Sequence, residues 1–141
     1  MDITAAAIAT LISSGIATTV TLLMNRGNSL KNLNDQLDNI LKISIQYPYL
    51  ENTKFTATWN ENKNSTEEQY LRYDNYCNLV FNYMERLCKY YNFNERKIQK
   101  HINIKDWIRV HKDCWTNPST PFENTDGYSK KLKNLINDFL K

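Results

Sequence analysis

The run Ile3–Met24, ITAAAIATLISSGIATTVTLLM, contains no charged residue, and no other stretch of the chain matches its length without one. As a helix it spans about 33 Å, roughly the hydrocarbon thickness of a bilayer. This feature predicts an all-α chain with one transmembrane helix over residues 3–24 and a cytoplasmic helical domain over residues 28–141. Asp2 precedes the run, and Arg26 and Lys31 follow it. The positive-inside rule then puts the C-terminal domain in the cytoplasm, beneath the inner (plasma) membrane. A cleaved signal peptide fits less well. It would need a basic start, a shorter apolar core and a small-residue cleavage site, whereas Leu22-Leu23-Met24-Asn25-Arg26 offers none.

The span is rich in Ala, Ser and Thr rather than Leu and Phe. Thr10, Ser14, Thr18, Thr21 and Asn25 recur every three or four residues and share one helix face, while Ile8, Ile12, Ile16, Val20 and Leu23 fall elsewhere. Small residues let helix backbones approach, and hydroxyls bond across the contact; Ser13-x-x-x-Ala17 and Ser14-x-x-x-Thr18 fit that pattern. The stripe therefore suits homo-oligomer formation, either as a packed seam or as the lining of a narrow pore. Ser and Thr are also tolerated in any span, because they bond the carbonyl one turn back.

Beyond the span, apolar spacing predicts a helical bundle. Leu30, Leu33, Leu37 and Ile40 mark a first amphipathic helix over about Ser29 to Ile45, ended by Pro48. Residues 49–64 show no helical period, and Lys54–Trp59 reads as extended. Ser65 and Glu68 form a capping box ahead of a long helix over about Thr66 to Tyr91. Its seam is Tyr73, Cys77, Val80, Met84, Leu87 and Tyr91. Asn94 caps a short helix with Ile98 and Ile102 inward. Ile104 to Trp115 makes a further helix with Trp107, Ile108 and Cys114 in the core. Pro118 and Pro121 break the chain, and Asp126 caps a last helix carrying Tyr128, Leu132, Leu135, Ile136 and Phe139.

Charge gives the second functional clue. Between Arg86 and Lys112 lie eight basic residues, Arg86, Lys89, Arg96, Lys97, Lys100, Lys105, Arg109 and Lys112, opposed only by Glu95 and Asp106. Tyr90, Tyr91, Phe93 and Trp107 are interleaved. Cations neutralise phosphates while aromatic faces stack bases, so this stretch is a candidate site for a nucleotide or single-stranded nucleic acid, with Tyr90 and Trp107 as stacking residues. Two blander readings stand beside it: a basic face resting on anionic lipid, and a solvated face whose aromatics are core.

Catalytic and metal chemistry find little support in the pattern. Cys77, Cys88 and Cys114 have no disulfide-scaffold or zinc spacing and read as free thiols in a reducing compartment. His111 and Cys114 are the one sequence-adjacent base–thiol pair, and the expectation is a buried Cys114 with His111 exposed. Glu67 and Glu68 suit the first turn of a helix. The sequon Asn64-Ser65-Thr66 matters only for a luminal domain. No phosphate-cradling glycine loop occurs, so the chain reads as a non-enzyme without metal or cofactor.

The Ser/Thr/Ala-rich span, the Leu30-x-x-Leu33-x-x-x-Leu37 helix, Gln46-Tyr-Pro-Tyr-Leu50, Tyr76-Cys-Asn-Leu-Val-Phe-Asn-Tyr-Met-Glu85 and the Trp107…Cys114-Trp115 region give a layout that covers nearly the whole chain. That layout resembles small bacterial single-span helical membrane proteins, and is similar to the membrane effectors of anti-phage defence systems of the Hailong type. The resemblance implies an oligomeric ion channel held closed by short DNA oligomers that a nucleotidyltransferase partner makes. It carries over no individual functional residue. The alternative is a membrane-tethered helical adaptor that binds a protein partner, with its basic face on anionic lipid.

Overall fold

The computed structural model describes residues 3–120 and 126–141, with side chains described from residue 18 onward. The chain is all-α, and no strand occurs among the described residues. Its helices are α1 (Ile3–Gln46), α2 (Thr53–Thr56), α3 (Trp59–Asn62), α4 (Glu68–Tyr90), α5 (Glu95–His101), α6 (Ile104–Val110), α7 (Lys112–Thr116) and α8 (Lys130–Leu140), with a 3-10 turn at Pro48–Glu51. Two compact units divide the chain, Met1–Asn34 and Asp35–Lys141.

The boundary expected between residues 24 and 28 does not interrupt the backbone, because α1 runs unbroken from Ile3 to Gln46. Gly27, the natural place for a break, sits mid-helix, and nothing lies within 4 Å of where its Cβ would be. Glycine there weakens the helix by about 1 kcal/mol, too little to stop it. In the first unit, described side chains Thr18 to Ser29 are exposed, including Val20, Leu22, Leu23 and Met24. Among the described residues no helix is long and apolar enough to cross a membrane. Thr10, Ser14 and most of the apolar run lie outside the described side chains.

The second unit is built on α4. Tyr73, Cys77, Val80, Met84 and Leu87 form its buried seam, as the spacing predicts, and Tyr76, Phe81, Tyr83 and Cys88 widen it, whereas Tyr91, the last position of the expected seam, is the helix's C-cap and only half-buried. A helix buried over so much of its circumference is the centre of a core, not one wall of it. Its C-terminus closes with a left-handed turn at Asn92 (φ 50°) and Phe93 (φ 58°). There the Phe93 amide donates to the Cys88 carbonyl (2.7 Å) and the Asn92 amide to that of Lys89 (3.0 Å). This is a Schellman closure with Asn where glycine is commonest.

Several local expectations are corrected. Residues 49–64, read as lacking a helical period, hold short helical turns, and Lys54–Trp59 is not extended: Pro48 opens the 3-10 turn, and Asn52 caps α2 by accepting from the Lys54 amide (2.9 Å). Phe55 and Trp59, four apart, then both set their rings edge-on to Tyr73, at 5.6 and 5.4 Å. The capping box is absent. Ser65 instead accepts from the Glu67 amide (3.1 Å) in a turn, Glu67 takes the cap position, and α4 begins at Glu68. Asn94 does cap α5, accepting from the Lys97 amide (3.1 Å). The single helix expected over residues 104–115 breaks at His111 into α6 and α7. Ser129, not Asp126, caps α8, while Tyr128, Leu132, Leu135 and Ile136 are buried as expected. Pro121 lies outside the described residues.

Glu85 fastens the start of α8 to α4, its Oε1 accepting from the Ser129 amide (3.0 Å) and pairing with Lys89 (3.1 Å). Burial opposes its charge, yet the Ser129 and Lys89 hydrogen bonds hold its carboxyl below the usual range.

Candidate functional site

Two features of the second unit combine polar groups with enclosure. The first is a groove of about 190 Å³ between the C-terminal part of α1 and the middle of α4. Helical spacing assembles it: Gln36, Asn39, Ile40 and Ile43 come from one face of α1, and Leu79, Asn82, Tyr83 and Arg86 from one face of α4. Ile40, Ile43 and the half-exposed Leu79 give it apolar lining, beside three amides and one guanidinium. The Arg86 Nη1 donates to Gln36 Oε1 (2.9 Å), which links the two helices at the mouth. Tyr83 is 1% exposed, and its hydroxyl is buried with no hydrogen-bond partner.

The second feature is a buried network around His111. Against expectation, this imidazole is fully buried, because the α6–α7 break turns it inward. Its Nε2 lies 3.4 Å from Glu51 Oε1, and its Nδ1 lies 3.2 Å from the Tyr73 hydroxyl and 3.8 Å from Cys77 Sγ. Tyr76 donates to the same Glu51 oxygen. The tautomer with the proton on Nε2 satisfies the set, since Nε2–H donates to Glu51 and Nδ1 accepts from Tyr73. Burial raises the Tyr73 and Tyr76 phenols and the Cys77 thiol well above their ordinary values. It also pushes Cys88 up to about 12. Thiols held protonated in this way lack the thiolate that nucleophilic chemistry needs. Among the described residues no group of three His, Cys, Asp or Glu side chains could hold a metal ion.

Glu51 carries the charge of the network. Burial raises its carboxyl, but the hydrogen bonds from His111 and Tyr76 outweigh it, leaving the group below its ordinary 4.5. A depressed folded-state value contributes stability that is present above 4.5 and lost as the pH falls through the folded value. Glu51→Gln should therefore cost about 1–2 kcal/mol at neutral pH, the worth of a charged hydrogen-bond acceptor. The difference from wild type should close in acid. Thermal melts across the acid limb measure it, and a gap independent of pH would show that the carboxylate charge plays no part.

The sequence-predicted basic residues have different neighbours. Arg86 stands in the α1–α4 groove, and Lys89 pairs with Glu85. Arg96, Lys97 and Lys100 are exposed on α5. Lys105 lies over the Phe139 ring (4.6 Å). Arg109 pairs with Asp106 (3.4 Å) and joins Lys112 in a different groove, beside Thr53 and Thr56. Tyr90 and Trp107 are half-buried, set edge-on against Tyr91 (4.9 Å) and Tyr83 (6.0 Å). Thr18 and Thr21 are exposed on α1. The reading by charge missed Gln36, Asn39, Asn82 and Tyr83. Their only sequence signal was amides placed next to the apolar positions of two helices.

Fold and geometry thus define an all-α protein with a polar-lipped groove and a buried histidine network. No family model, no curated protein and no solved structure matches this chain.

Proposed function

We propose that this chain is an oligomeric membrane effector or channel whose cytoplasmic helical domain senses an anionic ligand, a nucleotide or single-stranded DNA oligomer, in anti-phage defence. The observation that carries the reading is the uncharged run Ile3–Met24, whose described end leaves Val20, Leu22, Leu23 and Met24 exposed. Apolar surface held in water costs about 25 cal/mol per Å², so such a helix is covered by lipid, by other copies, or by both. The Thr10, Ser14, Thr18 and Thr21 stripe supplies the hydroxyls for helix association or for a wettable lining. A ligand switches such an assembly only by binding its closed and open forms unequally. The ligand's source is a nucleotidyltransferase partner.

The test is the full-length chain in detergent, sized for mass and reconstituted into dye-loaded liposomes. A defined oligomer that leaks ions or dye is expected, with leakage abolished by replacing Thr10, Ser14 and Thr18 with Leu. A monomer with tight liposomes would overturn the channel reading. A second reading, a tethered adaptor for a protein partner, draws on Leu71 and Leu79, which α4 leaves about half exposed (52% and 48%). In that case the full chain would capture a partner and leave liposomes tight.

A further inference from the structure

We propose that the groove between α1 and α4 binds a nucleotide, with the base held among Gln36, Asn39 and Asn82 and the phosphate on Arg86. This deepens the reading of the helical domain as a sensor of an anionic ligand by giving that ligand a seat and a chemistry.

The lining matches a phosphorylated heterocycle better than other anions. A primary amide carries both a donor pair and an acceptor, so Asn39 and Asn82 offer the mixed set that a base edge requires, beside Gln36, whose Oε1 accepts from Arg86. An acyl chain would leave those amides unused, and a bare phosphate would leave the apolar lining unused. Ile40, Ile43 and Leu79 provide contact for the faces of a planar ring. Tyr83 lines the groove as well, and its hydroxyl is buried without a partner.

Arg86 is the one cation of this lining. It donates through Nη1 to Gln36, and a guanidinium has five donors, enough to hold that amide and a phosphate together. At about 190 Å³ the groove is smaller than a pocket for a drug-sized molecule, so it takes one base, with sugar and phosphate at the mouth. A free mononucleotide and the terminal nucleotide of an oligomer present this same chemistry.

Equilibrium dialysis of the full-length chain in detergent tests the assignment, with nucleoside 5′-monophosphates, the matching nucleosides, inorganic phosphate and a short DNA oligomer as probes. At least one monophosphate or the oligomer is expected to bind saturably. Arg86→Gln should weaken that binding about tenfold and weaken the nucleoside far less, since it removes the charged contact to phosphate while disturbing the base side only through the lost bond to Gln36. Asn39→Leu and Asn82→Leu should weaken nucleotide and nucleoside alike. Lys97→Glu with Lys100→Glu, on the outer face of α5, should change neither by more than about twofold. Tighter binding of the oligomer than of any monophosphate identifies the terminal nucleotide as the source. Phosphate alone binding as well as the nucleotides would overturn the base assignment. No binding of any probe, or a loss confined to the α5 pair, would overturn the site. Helicity and melting curves establish that each variant folds, and Asn39→Leu, on the opposite helix, serves if Asn82→Leu does not. Because binding is read in detergent, a groove that binds in a chain that never leaks dye would retire the channel and leave the site. The reverse result would do the opposite.

Discussion

Trp59→Ala is expected to destabilise the second unit by about 4 kcal/mol, the usual cost of emptying a buried Trp site. Trp59 is 1% exposed, its ring meets Tyr73 edge-on, and its Nε1 donates to the Asn117 carbonyl (2.9 Å). Truncation removes the ring, the contact with the central helix, and the bond that fastens α3 to the chain just after α7. Tyr73 would then lose support on one side, and through it so would His111. Domains of this kind have only about 5–15 kcal/mol in total, so the melting temperature should fall by roughly 15 °C or more. Trp107→Ala gives the contrast. Trp107 is half-buried, with Tyr83 as its ring neighbour, and its loss should cost about half as much. Calorimetry or far-UV melting of the two variants measures the difference. Equal losses would show that burial in the structure does not rank these sites.

Placing Asp at both Ile12 and Ile16 of the full-length chain should move it from the membrane fraction to the aqueous fraction. A charged residue at the centre of a spanning helix costs about 3 kcal/mol, so two of them remove most of the insertion energy of a run already diluted by Ser and Thr. Alkaline extraction of membranes followed by immunoblotting is sufficient. Wild type should resist extraction and the double variant should not. Release of the wild-type chain would end the membrane reading. Retention of the double variant would show that residues outside 3–24 make the attachment. The groove proposal is untouched by either result.

The pattern of apolar residues was enough for the longer helices, because a helix is closed by bonds four residues apart and its buried stripe repeats at that interval. Thus α4, its seam and the Asn94 cap were all legible. The misreadings arose where distant packing chose between local options. Phe55 and Trp59 stood at helical spacing in a polar, Pro-initiated segment, and their common partner Tyr73 lies beyond the reach of any local pattern. His111 looked like an exposed helix residue. Its burial follows from Glu51 and Tyr73, which lie 60 and 38 positions away and supply its hydrogen bonds.

The same distinction separates charge from site. By itself the sequence determined an uncharged N-terminal run, an all-α chain and an excess of cations between residues 86 and 112. Counting cations along the chain places them together, but the fold gives them different neighbours: Lys105 lies against Phe139, Lys89 against Glu85, and Arg86 alone of them lines the α1–α4 groove. Only the tertiary structure brings Arg86 and Asn82 beside Gln36 and Asn39. Periodicity fixes which face of a helix is apolar, whereas the packing of two helices fixes which polar residues at the edges of those faces meet.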